Sequence, residues 1–363
     1  MNLRVLSDGN IVSYNNIEYN ENNREFILYS ANDEIDNLFL TTDYDYDTST
    51  DYSKFIVYVL YSKIATENSI YRIIKGEEKI GYIFPANSAL SSYHDFSDDA
   101  RFLRYAYASI IQFFLNYDGE ISNFDNNDIF SSIIGEDAQF LVLYKDDINN
   151  KELFPNGFLL ENYIPYFLGE GYSVVSRDFS DYSSMSDGKV YHLKETSESI
   201  RGKEYINLLF SSLIPRSEDD LARFHTLYQV VEVLIDNIFR VDFKRFIDSL
   251  QKEDELEYLS EANEKLREIY AEKDRVRELF SSWIIVDNQN REDLAECCKI
   301  ILDRANFLVK KETLGDYIYG VRCLLVHSMY KIDSFIQEKL HDLNILFLDV
   351  LVDAVISFRD PVG

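Results

Sequence analysis

Proline and glycine are scarce in this chain, with 5 and 13 among 363 residues. So few breakers argue against a linker-rich architecture. Cysteine is rarer still: Cys297, Cys298 and Cys323 are all there is. An odd number, two of them adjacent and none in Cys-x-x-Cys spacing, gives no disulfide framework and no Cys-x-x-Cys metal pattern. It fits a reducing compartment, and the predicted location is cytoplasmic. No uninterrupted apolar run approaches the roughly 18 residues that span a bilayer. The opening residues, MNLRVLSDGNIVSYNN, lack a basic-then-apolar leader, and no membrane role is expected. Positive charge is also in deficit: 36 Lys+Arg stand against 64 Asp+Glu, a net of -28. At long range such a chain repels nucleic acid, so any chemistry on nucleic acid is confined to a local basic pocket. Gly-rich phosphate loops, HExxH and GxSxG are absent. So is a Gly-Ser segment followed by paired aspartates, as a nucleotidyltransferase would need. The residues suggest neither a cofactor nor a metal.

What remains is rich in apolar and aromatic residues. Hydrophobic residues make up 46%, with 27 Tyr and 25 Phe, enough for a sizeable core. The length suits two domains. Residues 24–30 (REFILYS), 54–62 (KFIVYVLYS) and 138–144 (AQFLVLY) read as strands, and 71–85 as a hairpin around Lys75-Gly76-Glu77-Glu78. Residues 98–117 switch to helical spacing, with Phe102, Tyr105, Ala106, Ile110, Phe113 and Phe114 on one side. Short strands are expected at 172–175 and 189–193, a loop at 178–188, and a helix over 197–214 that ends at Pro215.

Beyond Pro215 the period is helical throughout. Ser217 with Glu218, Asp219 and Asp220 is a helix-start signal. Residues 222–239 carry a broad apolar stripe that includes Phe224, Leu227, Tyr228, Val231 and Leu234. Residues 252–280 are charged on most faces and suit a solvated helix. Residues 291–309 form another amphipathic helix, and a last one opens at Asp333-Ser334, where Ser334 and Gln337 have capping-box spacing. The expected architecture is therefore an α+β domain over residues 1–215 and an all-α helical domain over 216–363. Both are acidic: 16 Lys+Arg against 34 Asp+Glu in the first, and 20 against 30 in the second.

Few constellations carry chemistry. Asp43-Tyr44-Asp45-Tyr46-Asp47 imitates the opening of a calcium loop, but Thr48 stands where Gly belongs and Lys54 where Glu belongs. A solvated loop is the better reading. His94, His192, His225 and His341 have no partner specified by the sequence, and a structural or surface role is the default for each. The exception is Tyr319-Gly-Val-Arg322-Cys-Leu-Leu-Val-His327-Ser-Met-Tyr330, where a cation and an imidazole interrupt an apolar run. Buried charge is costly without a partner. Either an acid such as Glu232 or Asp236 pairs with Arg322, and His327 is a core or helix-ending residue, or the two await an anion. RNA supplies its own nucleophile, the 2′-hydroxyl. Its cleavage then needs only proton transfer, which a His performs near neutral pH, and stabilisation of phosphate charge, which an Arg provides. On an ideal helix five residues turn through about 140°, so Arg322 and His327 would not stack. The helix must end near His327, or the Arg must reach round, or two copies must pool their pairs.

The segment YGVRCLLVHSMYK resembles the Arg-x4-6-His signature of the HEPN superfamily, and Phe224-His-Thr-Leu-Tyr-Gln-Val-Val-Glu232 resembles the first long helix of bacterial members. The resemblance covers about residues 217–360. It implies a HEPN-like helical bundle that forms a homodimer with two Arg–His pairs in one cleft. It further implies a metal-independent endoribonuclease of a prokaryotic defence or toxin system, acting on an RNA substrate. On that reading Arg322 binds phosphate and His327 is the acid/base, with Glu232 and Tyr330 in support. Position 323 is often polar in active members and is Cys here. One toxin branch carries a modified Tyr two residues after the His; here that place is Met329, and Tyr330 follows it, so the modification is not carried over. Some members have lost activity and only bind RNA or protein. The first domain would sense a trigger, a small ligand or a phage protein.

Overall fold

The computed structural model describes residues 1–361 except 8–9, 33, 122–128, 177–188 and 251–258. The loop expected at 178–188 and the first part of the charged stretch at 252–280 lie outside the described residues. The chain divides into two compact units, Met1–Leu160 with Glu170–Leu193, and Glu161–Gly169 with Lys194–Gly363. Both sheets lie in the N-terminal half, and the C-terminal part is mostly helical. The sequence boundary was placed near Pro215; in the structure residues 194–214 belong with the helices.

The first unit holds two five-stranded sheets. One runs in the order β4-β3-β2-β1-β8, from β1 (Asn2–Ser7), β2 (Asn10–Asn20), β3 (Glu25–Ser30), β4 (Leu38–Thr41) and β8 (Asp118–Ile121). The other runs β10-β6-β7-β9-β5, from β5 (Phe55–Tyr61), β6 (Tyr71–Lys75), β7 (Glu78–Pro85), β9 (Ala138–Tyr144) and β10 (Val190–His192). The hairpin expected at 71–85 is β6–β7, and Gly76 takes the positive φ of 62° that its tight turn requires. Of the strand expected at 172–175, only a single bridge between Ser173 and Tyr61 forms.

Helix α1 (Ala100–Asn116) contacts strands of both sheets. Asp99 caps it by accepting from the N–H groups of Arg101 and Phe102, worth about 1 kcal/mol. The sequence stripe on one side is only part of its buried surface. Tyr107, Ala108 and Ile111 are buried as well, as a helix contacting two sheets requires. Two short α-helices, α2 (Ile129–Ile134) and α3 (Lys145–Ile148), lie in the same unit. In the Asp/Tyr stretch, burial alternates with period two: Tyr44 and Tyr46 enter the core while Asp43, Asp45 and Asp47 face water. The Tyr44 hydroxyl lies 2.6 Å from His94 Nε2, and burial pushes that histidine's pKa down.

The second unit is built from α4 (Ile164–Gly169), α5 (Glu204–Leu208), α6 (Asp220–Leu250), α7 (Leu259–Tyr270), α8 (Glu272–Glu278), α9 (Asn288–Arg304), α10 (Leu314–His327) and α11 (Ser334–Ser357). The helix expected over 197–214 is shorter: α5 followed by one wide turn at Leu209–Leu213. Leu340, Leu343, Phe347, Val350, Leu351 and Ala354 of α11 are buried, and α11 packs on α6 and α9. Its cap is Asp333, which accepts from Ile336 N at 3.0 Å, so the Ser334–Gln337 capping box does not form. A carboxylate one residue earlier reaches the N3 amide instead.

Candidate functional site

Helix α10 presents Arg322 and His327, and it is anchored at its opposite end. Thr313 caps it, its hydroxyl accepting from Asp316 N at 3.2 Å and donating to Asp316 Oδ2 at 2.5 Å. Asp316 is 1% exposed. Arg277 of α8 grips both of its oxygens at 2.9 and 3.0 Å, and Lys273 adds a contact at 3.2 Å. Burial would raise the Asp316 pKa, but the bonds from Arg277, Thr313 and Lys273 outweigh it and hold the carboxyl well below the usual range. Gly315 lets α8 come this close. A Cβ there would stand 2.7 Å from Arg277 Cα and 2.9 Å from Val276 O. One end of α8 is therefore pinned to α10, and its first residue, Glu272, is brought to Arg322.

The sequence left open how Arg322 and His327 meet. Helix α10 ends at His327, and Ser328, with φ -137° and ψ 33°, leaves the helical path. A one-turn 3₁₀ helix at Met329–Lys331 follows. At this helix end Arg322 Nη1 lies 3.4 Å from His327 Nε2. A guanidinium only donates, so this contact is a hydrogen bond when Nε2 is the accepting ring nitrogen. His327 is exposed and Arg322 half-buried. The pair meets within one chain.

Around Arg322 stand groups from two other helices. Glu272 Oε1 lies 4.0 Å from Arg322 Nε and accepts the Tyr228 hydroxyl at 3.2 Å. The guanidinium carbon sits 5.8 Å from the Tyr228 ring centroid, a cation–π arrangement. Burial alone would lower the Arg322 pKa, but the Glu272 charge turns the net shift upward. Burial raises the Tyr228 phenol, and Glu272 adds to it. His225 is lowered by burial and then by the Arg322 charge. Glu232 is raised by burial and by Glu272, with Arg322 acting against both. An open cleft of about 390 Å³ lies here, lined among others by Glu232, Asp236, Glu272, Arg275 and Arg322.

The structure thus brings Arg322 and His327 within 3.4 Å of each other and puts Glu232 in the cleft that Arg322 lines; His327 is not part of that lining. The carboxylate touching Arg322 is Glu272; among the described residues no ion pair joins Arg322 to Glu232. Tyr330 is 84% exposed and makes no hydrogen bond with Arg322 or His327. Sequence reasoning missed Glu272, Tyr228 and His225. His225, Tyr228 and Glu232 are spaced i, i+3, i+7, a polar line along α6 that was legible, although Tyr228 was assigned to the apolar stripe. Glu272 lay in a charged stretch with no distinguishing signal. Among the described residues no group of three or more His, Cys, Asp or Glu is placed to hold a metal ion, and no helix is long and apolar enough to cross a membrane. Compared with known protein-family models, with curated proteins and with solved structures, the chain matches none.

Proposed function

We propose that the helical unit is a HEPN-like domain and that the protein is a metal-independent endoribonuclease of a prokaryotic defence or toxin system. The observation that supports this best is the 3.4 Å contact between Arg322 Nη1 and His327 Nε2 at an exposed helix end. His327, with Nε2 unprotonated, takes the proton from an RNA 2′-hydroxyl as that oxygen attacks the adjacent phosphorus. The bond from phosphorus to the 5′-oxygen breaks, and an imidazolium returns a proton to the leaving oxygen. Arg322 holds the phosphate oxygens through its forked donors. A homodimer would place a second Arg322–His327 pair opposite, so that base and acid are separate rings. Tyr228 orients Arg322, Glu272 pairs with it loosely until a phosphate displaces that carboxylate, and Glu232 lines the cleft beside it. The sheet-containing unit would receive the trigger, a ligand or a phage protein, and the assembly would work in the cytoplasm.

A second reading has its own support. Glu232, Asp236 and Glu272 line the same cleft as Arg322, and the chain carries a net charge of -28. Both favour a catalytically silent HEPN dimer that binds RNA or protein as a regulatory module. The deciding experiment incubates the parent, Arg322→Ala and His327→Ala with single-stranded RNA in EDTA. The nuclease reading expects products ending in 2′,3′-cyclic phosphate from the parent alone. Equal cutting by all three removes it. RNA retained on a filter without cutting, and released by Arg322→Ala, establishes the binding module instead.

A further inference from the structure

A separate charged cluster lies in the sheet-containing unit and stands independently of the ribonuclease reading. Arg72 of β6 and Tyr82 of β7 face each other across the hairpin, so their side chains share one side of the sheet. Lys79 lies three residues before Tyr82, which in a regular strand would put it on the opposite side. The register shifts here: Ile73 pairs with Gly81, but Ile74 pairs with Lys79, leaving Ile80 as the extra residue. This bulge turns Lys79 onto the side of Arg72 and Tyr82. Lys79 Nζ donates to the Tyr82 hydroxyl and lies 4.0 Å from the centre of its ring. The start of α1 meets the same place. Asp99 Oδ2 lies 3.5 Å from Arg72 Nη2 and from the Tyr82 hydroxyl, and Arg101 Nη2 donates to the Lys79 carbonyl at 3.0 Å.

Charge does not balance in this cluster. Three cations gather, and among the described residues Asp99 is the one carboxylate within ion-pair distance of any of them. Its other oxygen is already committed to capping α1. Asp147 feels Arg101 only at longer range. The shortage registers on Lys79, which burial, Arg101 and Arg72 together push down to about 8 against the pull of Asp99. In a chain of net charge -28, a local excess of cations set by a strand irregularity points to an anionic ligand. Two forked guanidiniums flanking an ammonium match the oxygens of a phosphoryl group.

We propose that Arg72, Lys79 and Arg101 form a binding site for a small phosphate-bearing molecule, with Tyr82 and Asp99 positioning the three cations. The phosphate could be free or carried on a nucleotide, and titration calorimetry of the full chain with inorganic phosphate, ATP and adenosine separates these sources. ATP and phosphate should saturate the site and adenosine should not. Saturation by phosphate alone assigns a free oxyanion and still supports the site. Arg101→Ala and Lys79→Met should each weaken ATP or phosphate binding about tenfold, the effect of one lost charge-assisted contact. Lys54→Ala, an exposed cation outside the cluster, should leave it unchanged. Arg101 is exposed, so its truncation spares the core, and circular dichroism checks the fold of each variant. No saturation by ATP or phosphate up to about 10 mM, equal binding by the parent and Arg101→Ala, or competition by adenosine would each overturn the proposal.

Discussion

The two ends of α10 treat charge in opposite ways. At the first, Asp316 is 1% exposed and fully engaged, with Arg277, Lys273 and Thr313 all within 3.2 Å. At the second, Arg322 is half-buried, its carboxylate partner stands at 4.0 Å and its histidine neighbour at 3.4 Å. The closed end holds two helices in register, because a buried ion pair is tolerated only when every oxygen is satisfied. The open end keeps donors free at a surface, where a loose pair contributes little to stability and can exchange its carboxylate for an incoming anion. Within one helix, tight charge marks scaffold and slack charge marks the candidate site.

That contrast can be broken in graded steps. The largest effect is expected at the open end: in the EDTA cleavage assay His327→Ala should lose about 10²- to 10⁴-fold in rate, the range for a lost proton-transfer group, with no change in melting temperature. A large fall in stability instead would make His327 scaffold. At the closed end the pattern inverts. Asp316→Asn removes the buried carboxylate that Arg277 and Lys273 share and leaves Arg277 with Asp274 as its charged partner, so it should cost about 3 kcal/mol in denaturant unfolding, the low end for a broken buried pair. A cost near zero would mean that the network is not what holds α8 to α10.

The pH dependence follows from the same carboxylate. In the folded chain Asp316 has a pKa below its unfolded value of about 3.9, so below neutrality the unfolded chain takes up its proton first. Its stabilisation is complete above that unfolded value and is lost as pH falls from there toward the folded one. Asp316→Asn should flatten this acid limb in a melting-temperature series from pH 6 to 2. The smallest effect is expected for Glu272→Gln. Glu272 is partly exposed and only loosely paired, so stability should move by less than about 1 kcal/mol. Filter binding of a 2′-O-methyl oligonucleotide, which cannot be cut, should nevertheless tighten, because a competing charge leaves Arg322. Weaker binding would make Glu272 an orienting group rather than a competitor.

Much of the architecture could be read along the chain wherever a single period dominates. The 138–144 strand, the 71–85 hairpin and the buried face of α11 follow from local alternation or helical spacing. Reading failed where long-range pairing overrides propensity. Strand β2 contains four asparagines in eleven residues (NIVSYNNIEYN), yet β1 on one side and β3 on the other hold it in the sheet. Tyr44 and Tyr46 looked like part of a solvated acidic loop, and only the fold reveals that their rings are core. At the candidate site, Arg322 and His327 were visible because polar residues in an apolar run are rare. Glu272 was not, because it is one acid in a charged stretch and nothing local sets it apart.

By itself the sequence determined the residue types available for chemistry, the acidic balance and the periods of its longer segments, since these depend on composition and on near neighbours. Tertiary structure alone decided which carboxylate meets Arg322. It also decided that α10 stops at His327 and that a bulge turns Lys79 toward Arg72. Glu272 and Arg322 are far apart in the chain and meet only because α8 packs on α10, while the bulge and the helix end are set by backbone pairing and backbone dihedrals that the spacing of apolar residues does not encode.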